Sequence, residues 1–127
     1  MPPKMTAQEI QERLNQFYGT MEWHRWSILY RQFLLTDGAK FVAESCGAYW
    51  LMDLIASYQK RLLRAGQLFQ VWKLGITDSK GIVTCEDGNG RRLVRQALAF
   101  TDFPLDEITL WAEWDGQNLV ILLPSEH

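Results

Sequence analysis

Only two cysteines, Cys46 and Cys85, occur in the 127 residues. They form no CxxC pair, so neither a disulfide framework nor a cysteine-rich metal site is read here. Histidine is as scarce. His24 and His127 lack a neighbour at ligand spacing, and His127, the last residue, is expected to be loosely held. Zinc needs about four converging ligands, so no metal is expected, nor any other cofactor. No stretch approaches the roughly 18 uninterrupted apolar residues that cross a bilayer, and even Ala48–Ala56 contains Asp53. The polar amino end, Met1 to Thr6, has no secretory apolar region, which reads as a cytoplasmic protein with reduced thiols. Basic residues are absent after position 101: residues 1–101 carry +4 and residues 102–127 carry −6, within an overall charge of −2. That balance argues against binding nucleic acid by bulk electrostatics and against a polybasic membrane anchor.

What is present is 47% hydrophobic, 13% aromatic and 22% charged, the make-up of one folded domain. The whole chain, 1–127, reads as that domain, with helices in about 6–65 and strands in about 67–123. Thr6 and Glu9 form a capping box, and Ile10, Leu14 and Phe17 follow at helical spacing, predicting a helix from Ala7 to Tyr18. An extended run from Trp23 to Leu35 is stopped by Asp37-Gly38. Ala39–Cys46 reads as helix and Gly47 as a break. From Ala48, Leu51, Ile55, Tyr58 and Leu62 share one stripe of a long helix that ends at Gly66. Beyond it the period becomes two, in Phe69–Ile76, Ile82–Glu86, Arg92–Phe100, Glu107–Trp114 and Leu119–Leu123. Asp87-Gly88-Asn89-Gly90 and Asp115-Gly116-Gln117-Asn118 are hairpin turns. The pattern predicts an α+β fold, an antiparallel meander of about five strands with two to three helices packed on one face.

Chemistry-bearing motifs are missing. Asp87–Gly90 has neither the order of a phosphate loop nor the ligand ladder of a calcium loop. Ser27, three residues after His24, is too generic to name as a nucleophile, and Cys46 near a helix end lacks a Cys-His signature. The distinctive run is Trp23-His24-Arg25-Trp26, with Tyr30-Arg31 beyond. In one reading Trp26, Ile28 and Tyr30 form a buried face and the arginines are solvated. In the other, Trp23, Arg25, Trp26 and Arg31 anchor a protein interface or stack on single-stranded bases. Lys60-Arg61-Arg64 and Arg91-Arg92-Arg95 are further basic clusters. Asp102, Asp106, Glu107, Glu113 and Asp115 read as an acidic contact surface, or as solvated strand ends.

Several phrases, taken in order, resemble a family of short bacterial proteins classed as a domain of unknown function. They are Leu34-Leu35-Thr36-Asp37-Gly38-Ala39-Lys40, Gly47-Ala48-Tyr49-Trp50-Leu51-Met52-Asp53, Phe69-Gln70-Val71-Trp72-Lys73-Leu74, Cys85 through Gly90, Phe100 through Glu107, and Leu122-Leu123-Pro124-Ser125-Glu126. The resemblance runs from about Leu14 to Glu126. It implies one compact domain, often borne on plasmids or phage, and brings no activity or catalytic residue with it. Within these phrases Asp37 either N-caps the next helix or, with Lys40, Tyr49, Trp50 and Asp53, belongs to a groove between helix and sheet suited to a small ligand or a partner's side chain.

The sequence therefore predicts a non-enzymatic binding protein, an accessory of a mobile element contacting a host protein, with inhibition of a host defence as one form. The alternatives are a small-molecule sensor or enzyme at the helix–sheet groove, and a single-stranded nucleic-acid binder. The expected partner is a protein; no membrane is expected, and pairing of two copies is left open.

Overall fold

The computed structural model describes residues 5–29 and 31–127; Tyr30, one of the three positions of the expected buried face, lies outside the described residues. Helix α1 spans Ala7–Leu14. Thr6 Oγ1 accepts from Glu9 N–H and the Glu9 carboxylate returns to the Thr6 backbone, as the capping box predicts. The helix is shorter than expected. Gln16 and Phe17 donate to the carbonyls three residues back, which winds the helix down and lets Phe17 meet the Phe41 ring at 5.4 Å.

The extended run divides in two. β1 is Trp23–His24 and β2 is Phe33–Thr36, paired antiparallel. Between them the chain leaves the sheet, drawn by the Trp26 indole N–H, which donates to Asp53 Oδ1 at 2.8 Å. Ile28 is exposed, so the expected Trp26–Ile28–Tyr30 face does not form among the described residues.

Helix α2 is Asp37–Ser45, and Thr36 is its N-cap, with Oγ1 accepting from Ala39 N–H. Gly47, at φ +60°, reverses the chain into α3, Tyr49–Ser57. The single long helix expected from Ala48 is interrupted at Tyr58 before α4, Gln59–Arg64. There Ser57 Oγ donates to the Leu54 carbonyl and Tyr58 N–H bonds three residues back, to Ile55; such back-bonding bends helices.

Five more strands follow: β3 Phe69–Thr77, β4 Lys80–Glu86, β5 Arg92–Leu98, β6 Glu107–Trp114 and β7 Leu119–Leu122. β4 starts earlier than read, because Asp78 and Ser79, both at positive φ, make a two-residue turn whose twist matches its strands. The fold is α+β as predicted, with a sheet of seven strands in the order β1-β2-β7-β6-β3-β4-β5. All neighbours are antiparallel except β2 and β7. The order departs from a pure meander. After β5 the chain crosses the end of the β3–β4 hairpin, where Thr101 N–H donates to Ser79 O, and lays β6 against the far side of β3. Phe103 and Leu105 on that crossing are buried and close this end of the core.

Alternation along the strands assigns the two faces. Trp72, Leu74, Val83, Cys85, Ile108, Leu110, Leu119 and Ile121 point inward against Leu51, Met52, Ile55 and Leu62 of the helices. Each such large side chain removed from water contributes roughly 1.5–3 kcal/mol. The second face carries Val71, Lys73, Thr84, Trp111 and Val120, and no α-helix packs on it among the described residues.

Candidate functional site

A 3-10 turn at Pro124–Glu126 folds the carboxyl end over this helix-free face. Glu126 is buried there. Its Oε1 accepts from the Thr36 hydroxyl at 2.6 Å and from Leu123 N–H at 2.9 Å, and Oε2 accepts from Gly38 N–H at 2.9 Å. The carboxylate thus satisfies a free N–H at the positive end of α2 from a remote part of the chain. Asp37 instead faces outward: its carboxylate accepts from Met21 N–H and meets His24 Nε2, both at 2.8 Å. These two contacts, led by the one to His24, hold the Asp37 carboxyl below its ordinary value. Asp37 is therefore the first residue of α2 and a strap on residues 20–24, while Thr36 takes the capping place expected of it.

Beside Glu126 lies a groove of about 540 Å³, walled by Trp23, Leu68, Phe69, Val120 and Leu122, with Glu113, Asp115 and His127 at its rim. Trp23 is 56% and Leu68 51% exposed. Far from loosely held, His127 places Nε2 2.7 Å from Glu113 Oε1 and sets its ring edge-on to Trp111 at 5.2 Å. Trp111 in turn meets Phe69 edge to face, also at 5.2 Å. Asp115 accepts from the N–H groups of Asn118 and Gln117, which keeps its carboxyl below its ordinary value and charged. Both hydroxyls of the groove are committed, Thr36 to Glu126 and Thr20 to the Glu22 carbonyl. The groove thus offers apolar surface and fixed charge, and no free nucleophile among the described residues.

The aromatic–arginine residues are dispersed. Trp23 enters the groove, His24 binds Asp37 on the other side of β1, Trp26 turns to Asp53, and Arg25 and Arg31 are exposed on the connecting loop. The helix-side residues are likewise parted. Lys40, paired with Glu44 at 3.6 Å, lies in a shallow depression with His24 and Asp37. Tyr49 and Asp53 line another with Trp26, and Trp50 packs against the core. Burial, with the Glu44 charge adding to it, pushes the Tyr49 hydroxyl up. The acidic residues divide along β6: Asp102, Asp106 and Glu107 at its start, Glu113 and Asp115 at its finish, roughly 20 Å away at strand spacing.

Cys46 and Cys85 are free and buried, and burial pushes their thiols up to about 11 and about 12, so neither is a thiolate at neutral pH. No group of three or more potential ligand side chains gathers at a metal-holding spacing among the described residues, and no described helix is long and apolar enough to cross a membrane. Sequence reasoning missed Leu68, Phe69, Trp111, Glu126 and His127 as parts of one surface. Of these, Phe69 and Glu126 fall within the phrases that carried the resemblance, and Leu68, Trp111 and His127 carried no signal.

No curated protein matches the sequence. A crystal structure of a protein of unknown function from Enterococcus faecalis is similar at a TM-score of 0.53 and 20% identity, covering 84% of this chain and 98% of that one; the likeness extends to the fold. The family of unknown function DUF6876 matches residues 8–127, from α1 through the turn that buries Glu126, and the chain belongs to it.

Proposed function

We propose that this chain is a non-enzymatic protein-binding module whose partner seats in the groove on the helix-free face of the sheet. One observation carries the reading: large apolar side chains, Trp23 and Leu68, stand exposed beside a rim of charged groups. An apolar centre with a polar rim is the anatomy of a protein interface, and tryptophan is enriched among the residues that dominate binding energy. Asp115 on the rim favours a partner that presents a cationic group next to its apolar anchor. In this reading the partner is a host protein met in the cytoplasm and the chain is an accessory of a plasmid or phage, an inhibitor of a host defence being one form. What suggests that setting is the resemblance read in the sequence, which implies carriage on plasmids or phage.

The test is affinity capture from host lysate, with and without nuclease, using the tagged chain and a Trp23→Ala, Leu68→Ser variant. Both side chains are about half exposed, so the variant is expected to keep its fold, as circular dichroism would check. One stoichiometric protein that survives nuclease and is lost with the variant supports the proposal. Recovery that disappears with nuclease would replace it with nucleic-acid binding, and equal recovery by the variant would remove the groove from the contact.

A further inference from the structure

We propose that the outer edge of β5 is a docking site for an extended, acidic peptide segment, which adds to the sheet as a further strand. β5 closes the sheet order and pairs with β4 alone. The edge strand of an antiparallel sheet turns alternate backbone N–H and C=O groups outward, a ready template for another strand. Seven residues, Arg92–Leu98, present that template.

The register sets the charge of this edge. Arg95 lies opposite Thr84, and Arg92 lies opposite Glu86 across a shift at Cys85/Glu86. Thr84 and Glu86 are two apart on β4 and share a face, and residues directly opposite share a face. The shift thus brings Arg92 and Arg95, three apart, onto the helix-free face together. In a regular strand they would point to opposite sides. Arg61 supplies a cation from the helix side: it lies 5.4 Å from the Tyr58 ring, whose hydroxyl donates to Gln96 of β5 at 2.7 Å. The neighbouring carboxylates are engaged elsewhere, Glu86 with Lys73 at 3.5 Å and Asp87 with the N–H groups of Asn89 and Arg91. None of Arg61, Arg92 and Arg95 has an ion-pair partner among the described residues.

A second copy fits this edge poorly. Two β5 strands paired antiparallel about their midpoint would set Arg95 against Arg95, and like charges directly opposite are destabilising. Single-stranded nucleic acid fits the charge, but β5 itself carries no aromatic residue for bases to stack on, and the exposed Phe100 lies beyond its end. An extended peptide with acidic side chains satisfies the backbone row and the cations at once, the strand-addition mode of peptide recognition. The site is distinct from the groove, whose nearest wall, Phe69 of β3, lies two strands from β5, roughly 10 Å at sheet spacing. Failure at one surface leaves the other standing.

The probe is a blocked peptide, acetyl-Glu-Val-Glu-Thr-Glu-Val-Glu-amide, titrated into the nitrogen-15-labelled full chain. Amide shifts concentrated on β5 are expected, with affinity falling at least tenfold for Arg92→Glu, Arg95→Glu and for a peptide methylated on alternate backbone nitrogens. The lysine counterpart of the peptide is expected to bind only the charge-reversed variant. Equal binding of the methylated peptide would overturn strand addition, and tighter binding of oligothymidylate at the same residues would make this a nucleic-acid surface. The absence of shifts at millimolar peptide would also overturn the proposal.

Discussion

Glu126 accepts the backbone N–H of Gly38 at 2.9 Å across 88 positions of sequence, and the absence of a side chain at Gly38 is what allows the approach. A Cβ there would stand 2.5 Å from Glu126 Oε1 and 2.6 Å from Leu123 Cδ1. Glycine to alanine inside a helix ordinarily stabilises by about 0.5–1 kcal/mol. Here the sign reverses. Gly38→Ala is expected to cost about 1–3 kcal/mol through overpacking, and Glu126→Ala about 1–3 kcal/mol by leaving the donors of Thr36, Gly38 and Leu123 unsatisfied. The double variant is expected to lose less than the two together, because removing the carboxylate vacates part of the space the new methyl enters. Urea unfolding of the four proteins measures this coupling, and strict additivity would contradict it.

Asp37 makes stability depend on acid. Its carboxyl is held below the ordinary 3.8, first by His24 and then by the Met21 N–H. A group whose folded value is depressed adds stability above its unfolded value, and that stability is lost as pH falls through the folded one. The urea midpoint of the wild type is therefore expected to drop from about pH 4 downward. Asp37→Asn is expected to be less stable at neutral pH and flatter in acid, so that the two curves converge at the low end. Asp115, depressed by Asn118 and Gln117, leaves Asp37→Asn a residual slope. Parallel curves would show that the strap on residues 20–24 contributes nothing.

Trp26 and Asp53 tie the loop between β1 and β2 to α3. Arg25 and Arg31, exposed on that loop, are natural trypsin sites. Trp26→Phe keeps the ring and loses the donor, at about 1 kcal/mol for one hydrogen bond. Cleavage at Arg25 and Arg31 is expected to rise about fivefold, by the usual conversion of 1.4 kcal/mol per tenfold. Asp53→Ala is expected to match it, with no further rise in the double variant. Mass spectrometry of timed digests reads both sites.

Local patterns carried most of the fold. The capping box at Thr6, the stripe through Leu51, Ile55 and Leu62, and the turns at Asp87 and Asp115 depend on neighbours in sequence and are legible there. Pairings that join distant segments are not. Nothing near Phe33 announces that it lies parallel to Leu119, and nothing near Leu98 says that the chain will next cross to the far side of β3. The groove was hidden for the same reason, because Trp23, Leu68 and His127 meet through the sheet. The resemblance phrases are clearer once placed. Thr36-Asp37-Gly38 and Glu126 are two ends of one hydrogen-bonded network, and Asp53 is the anchor of Trp26.

Gln59 and Gln70 exchange two amide hydrogen bonds of 2.8 Å in the core, and Gln70 Oε1 also accepts from the Trp72 indole at 2.9 Å. Both glutamines are within 1% of full burial. Leaving a buried polar group unpaired costs about 1–3 kcal/mol, whereas replacing all partners with apolar groups of similar shape can be nearly neutral. Gln70→Leu is therefore expected to destabilise strongly, since it strands the Gln59 Oε1 and the N–H of Trp72, while Gln59 Nε2 keeps its bond to the Ile55 carbonyl. Adding Gln59→Leu is expected to recover part of the loss, and adding Trp72→Phe removes the last orphaned donor at the expense of a small cavity. The order of urea midpoints distinguishes pairing from packing: the double variant lies above Gln70→Leu if unsatisfied groups dominate, and below it if the volume and shape of the glutamine pair matter more.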